Sequence, residues 1–300
     1  MNSRQLQYAI LLSKIRNFSQ VAEKLNISQP SLSKQILNLE RELGVALFNR
    51  DTVPLTMTAA GEYFIREAQE LLYKEDQMVK TMEHFRSGEA GRLVIGVSPF
   101  RSLYLIPGVV KKLKERYPGI QVCLHEPPSD EIRREAAEGK YDLAIVNLPV
   151  DESVLEAIPI EQERLVLAVP NAMLHKLPQT EPGELSTIDL TDCRELSFVT
   201  ARQPLEMRRY FDQLFAGAGY HPNIAVEVTG LTSAWAMVHA GVGAALLPLQ
   251  FVKEEDFCEG ATLFTIRDSV SIRQPAVVIR RGQYLSEYAK YAIELLTEDH

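Results

Sequence analysis

The sequence predicts an N-terminal, all-α winged helix-turn-helix head, one long linker helix, and a C-terminal α/β body of two Rossmann-like subdomains. Three observations predict it. Residues Phe18 to Arg50 carry two short apolar-periodic segments around a tight turn, then a run ending in arginine. From Glu62 to Ser87 a helical period continues without Gly or Pro. From Arg92 onward short apolar runs alternate with amphipathic stretches, as strands and helices do when they pack in layers. A chain of 300 residues leaves room for two domains.

In the head, Ser3 to Lys14 form a first helix with Leu6, Ala9, Ile10 and Ser13 on its packing side. Ser19 is placed as the N-cap of a second helix, whose Val21, Ala22 and Leu25 share a face. Asn26 occupies the turn, which needs a residue tolerant of left-handed backbone. Ser28 caps a third helix, with Pro30 in the first turn, where its missing N–H would be unpaired anyway. Leu32, Ile36 and Leu39 then point inward, leaving Gln29, Ser31, Ser33, Lys34 and Asn38 outside. These groups are short, polar or basic, and include no carboxylate, whereas ordinary exposed helix faces are well supplied with acids. Such a face suits a DNA major groove, and Gln29, Pro30, Ser31, Ser33, Lys34 and Asn38 are the predicted contacts. Gly44 ends the helix. Val45 to Leu47 and Leu55 to Met57 are read as wing strands around the turn Asn49 to Pro54, with Arg50 at the wing tip. From there Arg50 would reach a minor groove; the alternative is a surface pair with Asp51 or Glu42.

Thr58 caps the long helix, roughly 39 Å of it between Glu62 and Ser87. Phe64, Ala68, Leu71, Glu75, Met78, Met82 and Phe85 recur at spacings of four and three, a coiled-coil seam broadened by Tyr63, Leu72 and Val79. A helix leaving a small domain cannot bury this stripe alone, so a partner helix is expected, with an intramolecular core helix as the alternative. Phe64, Ala68, Leu71, Leu72, Met78, Val79 and Met82 are the predicted dimerisation residues, and Ser87 to Gly91 is a hinge.

The head resembles the N-terminal domain of LysR-type transcriptional regulators. The residues that carry this are Leu6, Ala22-Glu23-Lys24-Leu25, Ser28-Gln29-Pro30-Ser31-Leu32-Ser33, Ile36, Leu39-Glu40, Glu42-Leu43-Gly44, Leu47-Phe48 and Arg50, followed by Leu55, Thr56, Thr58 and Ala60-Gly61. The resemblance implies a ligand-responsive regulator of transcription. Its linker helix would pack antiparallel against its mate, giving a homodimer or homotetramer whose heads address a dyad operator in double-stranded DNA. It also implies a body resembling periplasmic binding proteins, with an effector cleft between two subdomains. The expected divisions are 1–57 for the head, 58–91 for linker and hinge, and 92–300 for the effector domain. Within the last, subdomain I takes 92–165 and 268–300, and subdomain II takes 166–267. A rival class remains: a small-molecule-binding or enzymatic α/β protein whose N-terminal helices only dimerise.

The body begins with a buried strand, Leu93 to Val97, and a helix, Ser102 to Tyr117. Strands follow at Ile120 to His125, Asp142 to Val146, Leu165 to Val169, Leu196 to Val199, Ile224 to Val228, Gly243 to Leu247 and Ala276 to Ile279. Helices are expected at Glu131 to Glu138, Pro204 to Ala216, Ser233 to Ala240 and Glu287 to Leu296, so parallel sheets with right-handed crossovers are predicted. Ligands bind open α/β sheets at strand-to-helix turns. Ser98 to Ser102, Thr200 to Gln203 and Thr229 to Ser233 are such turns. The resemblance assigns effector contacts to Ser98, Ser102, Thr200 and Thr232. Side-chain chemistry adds Phe100, Arg101 and Arg202, and the two guanidiniums favour a small anionic effector. Glu126-Pro127-Pro128 would line the mouth or stiffen a loop.

Charge separates the two parts. The chain carries −8 overall, yet residues 1–57 hold seven basic and four acidic side chains, +3, which leaves −11 on the remainder. A basic head on an acidic body suits DNA binding by one end, summed over two or more heads. No Walker loop, GxSxG or HExxH motif is present, and Gly241-Val242-Gly243 is a turn, not a dinucleotide fingerprint, so no catalysis and no cofactor is expected. The six histidines and the cysteines Cys123, Cys193 and Cys258 fit no metal or disulfide spacing. Buried thiols in a reducing cytoplasm are the simplest reading, and a redox-sensing pair the rarer one. No signal sequence or membrane span is read, so the protein is expected in the cytoplasm.

Overall fold

The computed structural model describes residues 1–87, 91–178, 186–254 and 260–298. The chain divides into two compact units, Met1–Arg86 and Ser87–His300. Residues 88–90 of the expected hinge, Cys258 and His300 lie outside the described residues, as do the side chains of His84 and Phe85.

The first unit contains α1 (Ser3–Ile15), α2 (Phe18–Lys24), α3 (Gln29–Leu43), β1 (Phe48–Asn49), β2 (Thr56–Met57) and α4 (Ala59–Ser87). Asn2 and Gln5 close a reciprocal capping box on α1. Asn17, not Ser19, caps α2: its Oδ1 accepts from the N–H groups of Ser19 and Gln20 at 2.9 and 3.1 Å, so the helix starts at Phe18. Asn26 sits at φ 53°, as its turn requires. Leu12, Val21, Leu32, Ile36, Leu39 and Leu47 close one core among α1, α2, α3 and the wing. The wing begins later than Val45. The Val45 N–H bonds the Glu40 carbonyl, and the Leu47 N–H bonds the Glu40 carboxylate, so pairing starts at Phe48. Thr58 Oγ1 accepts from the Gly61 N–H at 3.0 Å and donates to the Ala46 carbonyl. A Cβ on Gly61 would lie 2.0 Å from the Leu47 oxygen, so only glycine lets α4 leave so close to the wing.

The helix α4 spans 29 residues, about 43 Å. Its expected seam divides in two. Phe64 packs partly on the head's own core beside Ile65, and Ala68, one turn further on, is buried. Leu71, Met78, Val79 and Met82 stay exposed, and Leu72 is half-buried. Glu75, the polar interruption, accepts from the Ser3 hydroxyl at 3.0 Å.

The second unit holds two sheets. The first is built from β3 (Arg92–Gly96), β4 (Gln121–His125), β5 (Leu143–Asn147), β6 (Leu155–Pro159) and β14 (Pro275–Arg280), in the order β4-β3-β5-β14-β6. The second contains β7 (Glu163–Pro170), β8 (Ser186–Ile188), β9 (Ser197–Ala201), β10 (Asn223–Val228), β11 (Ala244–Pro248) and β12 (Ala261–Ile266), in the order β10-β9-β11-β7-β12-β8, while β13 (Ile272–Arg273) pairs with the start of β7. The helices are α5 (Pro99–Tyr104), α6 (Ile106–Arg116), α7 (Ser129–Ala137), α8 (Glu206–Gly217), α9 (Leu231–His239), α10 (Leu249–Glu254) and α11 (Glu287–Thr297). Pro107 in the first turn of α6 lacks an N–H to continue α5, so the single helix expected from Ser102 to Tyr117 is two.

The sheets are mixed, not parallel. β14 runs antiparallel to β5 and β6, and β7 antiparallel to β11 and β12. No helix separates β6 from β7 or β13 from β14, and at these two links the chain passes from one sheet to the other. Alternation still sorts the side chains: Leu143 and Ile145 face α6 and α11, whereas Ala144 and Val146 face α7. In the second sheet Leu167 and Val169 pack with Phe211 and Phe215 of α8, and Val166 and Ala168 with Trp235 of α9. Each sheet thus carries helices on both faces.

Candidate functional site

The outer row of α3 begins behind Ser28, whose Oγ accepts from the Ser31 N–H at 3.3 Å. Gln29, Pro30, Ser31, Lys34 and Asn38 are exposed and Ser33 is half-buried, while Leu32, Ile36 and Leu39 hold the opposite face in the core. Arg50 lies beside this row, not at the wing tip. Its Nη2 donates to Glu40 Oε2 at 2.8 Å and its Nη1 to Ser33 Oγ at 3.4 Å, and its Cζ stands 5.6 Å from the centre of the Phe18 ring. The partner is neither Asp51 nor Glu42; Glu42 takes the N-terminal ammonium. The wing strands are two residues each, too short to carry Arg50 away from α3.

In the body a cavity of about 240 Å³ opens between the sheets. Ser98, Phe100, Arg101 and Leu103 reach it from α5, Pro128 and Ser129 from the start of α7, and Leu205, Glu206 and Met207 from the start of α8. Val199 and Thr200 end β9 there, Val228 to Thr232 lead from β10 into α9, and Phe251 closes one wall against Phe100 at 5.8 Å between ring centres.

The floor is a buried ionic cluster. Arg101 donates from Nε and Nη2 to the two Glu163 oxygens at 2.6 and 2.9 Å, and Nη2 also meets Asn147 Oδ1. Arg273 Nη2 donates to Glu163 at 2.5 Å, and the Tyr104 hydroxyl donates to the same carboxylate. Burial pushes the Glu163 carboxyl up, but the Arg273 and Arg101 guanidiniums outweigh it and hold it at about 2. Burial works against the Arg101 charge too, and Glu163 reverses that and raises it. Glu206 accepts from Asn147 Nδ2 at 3.0 Å. Arg101 and Arg273 are balanced by Glu163 and Glu206, and Arg133, a third exposed and 3.7 Å from Glu206, adds one positive charge at the edge of the cluster.

One end of the cavity differs. Gly230 starts α9 without a side-chain cap, and the first turn contains no acid. The helices α7 and α8 bring Asp130, Glu131 and Glu206 to theirs. The open N–H groups behind Gly230, flanked by Thr200, Thr229 and Thr232, favour an anionic or carbonyl oxygen. The Arg273 Nε, on a side chain 4 % exposed, has no hydrogen-bond partner among the described residues.

Comparison with known families matches residues 3–62 to a "bacterial regulatory helix-turn-helix protein, lysR family" and residues 86–300 to a "LysR substrate binding domain". The chain belongs to the LysR family. It is a DNA-binding transcriptional regulator with an effector-binding domain. AlsR of Bacillus subtilis is 30% identical over 83% of this chain and 80% of its own length. The hydrogen peroxide-inducible genes activator of Haemophilus influenzae is 31% identical over 95% and 92%. Among solved structures, full-length CbnR in complex with its target DNA superposes with a TM-score of 0.59 at 23% identity, covering 99% of each chain. A full-length OxyR from Pseudomonas aeruginosa gives 0.65 at 21% identity, covering 100% and 99%. These share the LysR fold.

Of the effector residues expected for this LysR body, Ser98, Phe100, Arg101, Thr200 and Thr232 line the cavity. Ser102 and Arg202 do not. The Ser102 hydroxyl is taken by the Pro99 carbonyl and the Glu126 carboxylate, and Arg202 is an exposed residue whose backbone continues the β9–β10 pairing. Arg101 lines the cavity with its guanidinium already committed to Glu163. Glu126 therefore holds α5 in place, and Pro128 lines the cavity. Sequence reasoning missed Glu163, Glu206 and Arg273, which stand on unrelated elements and carry no local motif. Gly230 lies within the expected Thr229 to Ser233 turn, and a glycine before an acid-free first turn is its readable sign.

Cys193 is buried in the second sheet's core, where burial and then Asp192 and Asp189 push its thiol up to about 12, and Cys123 lies on β4 of the first sheet. Among the described residues no three His, Cys, Asp or Glu side chains gather as a metal site, and no helix is long and apolar enough to cross a membrane.

Proposed function

We propose that a small effector, mainly apolar with one acceptor end, enters the body cavity and alters how the heads of an oligomer grip an operator. The observation that carries this is the uncapped, acid-free start of α9 at Gly230, opening into a cavity walled by Phe100, Leu103, Leu231 and Phe251. A carboxylate or carbonyl of the effector would sit on the N–H groups of α9 beside Thr200 and Thr232, with Ser98 near its other end. The anionic preference first read from Arg101 and Arg202 rests instead on these amides, because Arg101 is neutralised and Arg202 lies elsewhere.

Gln29, Pro30, Ser31, Ser33, Lys34 and Asn38 would meet the major groove, and Arg50 a phosphate or groove edge next to them. Leu71, Met78, Val79 and Met82, exposed along α4, would be covered by the same helix of a second copy, which gives a dyad its two heads. Relatives named as transcriptional regulators support a binding role in the body over catalysis, and a cytoplasmic location is the one that operator binding requires of this reading.

A thermal-shift screen of carboxylates, keto acids, amino acids, sulfate and phosphate tests the cavity. A ligand at 100 times its Kd adds about 2.7 kcal/mol to stability. The expected result is a shift with a carboxylate or keto acid that Thr200→Val abolishes. A shift unchanged in that variant would move the site elsewhere.

A further inference from the structure

We propose that Glu40 is a positioning residue for DNA recognition: it aims the Arg50 guanidinium along the outer row of α3. This rests on the reading that this row meets DNA. The two Glu40 oxygens do different things. Oε1 accepts the N–H groups of Leu47 and Phe48 at 2.8 and 3.2 Å and ties off the start of the wing. Oε2 takes Arg50 Nη2 at 2.8 Å. The Glu40 side chain is 8 % exposed and fixed by both backbone donors, so the guanidinium is anchored to a rigid point.

The opposite side of the fork reaches Ser33, a predicted groove contact, and the Phe18 ring packs near it. Arg50 remains 38 % exposed. A guanidinium has five N–H donors in a fixed plane, so the contacts to Glu40 and Ser33 leave donors that point away from the protein. The orientation of those donors is set before DNA arrives, which removes the ordering cost a free arginine would carry into the complex. The sign of the effect separates this from plain electrostatics. Removing a carboxylate near a polyanion strengthens binding if only charge matters. If Glu40 aims Arg50, removing it weakens binding.

The test uses the full-length protein and a duplex enriched by it from a random-sequence pool. Glu40→Gln keeps an oxygen for Leu47 and Phe48 but turns an amide NH2 toward Arg50. Expected are a loss of about tenfold in affinity for Arg50→Ala, a loss of about threefold to tenfold for Glu40→Gln, and no further loss when Glu40→Gln is added to Arg50→Ala. Equal or tighter binding by Glu40→Gln, an additive loss in the double variant, or an unaffected Arg50→Ala would each overturn the proposal. Arg50→Lys covers the case in which Glu40→Gln loses the head fold by circular dichroism. It keeps the charge without the fork and is expected to bind about as weakly as Arg50→Ala; full affinity would overturn the proposal. Lys34→Glu, which tests the α3 face without touching Glu40, Ser33 or Arg50, tells failure of that reading apart from failure of this one.

Discussion

Arg50 and Arg101 are each fastened to a carboxylate, yet the two pairs do opposite things. In the head, the Arg50 side chain is 38 % exposed and its partner Glu40 fixes one edge of the fork while the rest faces outward. In the body, Arg101 and Glu163 are both 2 % exposed, and Arg273 closes the remaining side. An ion pair at a rim orients a charge for use; the same pair at a floor neutralises it and joins elements. The difference is desolvation: a sealed pair cannot be parted cheaply, and an exposed one leaves its donors hydrated and available.

The largest test of this contrast is Glu163→Gln, which leaves Arg101 and Arg273 buried without the carboxylate they both bond. A loss of about 3–5 kcal/mol in unfolding free energy is expected by urea denaturation. A loss below about 1 kcal/mol would mean that the floor is hydrated and the contrast mistaken.

Acid sharpens it next. Glu163 is held at about 2 against an ordinary value of 4.5, so the folded state binds fewer protons than the unfolded one between these values. Its contribution, on the order of 3 kcal/mol, is complete above the unfolded value and is lost as pH falls toward 2. Glu163→Gln should flatten the stability profile in that window. An unchanged slope would assign the acid sensitivity to other carboxylates.

How much of this could be read from the sequence follows from how local each feature is. The α3 face was legible because Leu32, Ile36 and Leu39 mark the inside at helical spacing, and the capping Ser28 and ending Gly44 are adjacent to it. Phe64 and Ala68 were read with the rest of the seam, although Ala68 is buried and Phe64 packs partly on the head's core, because periodicity reports a stripe, not what covers each part of it. The strands β6, β8, β12 and β13 were missed: β8 and β13 are only three and two residues long, and β6 is an edge strand of which Leu155 alone is buried. Arg101 was placed at the cavity by its turn, but its partner Glu163 lies 62 residues away, and composition does not say which charges meet.

The smallest expected effect concerns a rim pair in the body. Arg209 donates to both Asp130 oxygens at 2.6 and 2.8 Å, joining α8 to α7. Both side chains are nearly half exposed, so Asp130→Ala should cost no more than about 1 kcal/mol, and less in high salt. Denaturation at two salt concentrations checks this. A cost as large as that of Glu163→Gln would erase the distinction between rim and floor.

The central claim is that the carboxylate-free row of α3 reads DNA. It is tested most directly by the salt dependence of full-length binding to a selected duplex, for the wild type and for Lys34→Glu with Ser33→Ala. The account predicts a loss of roughly tenfold or more for the variant and a salt slope lower by about one per head. Unchanged affinity and an unchanged slope would contradict it.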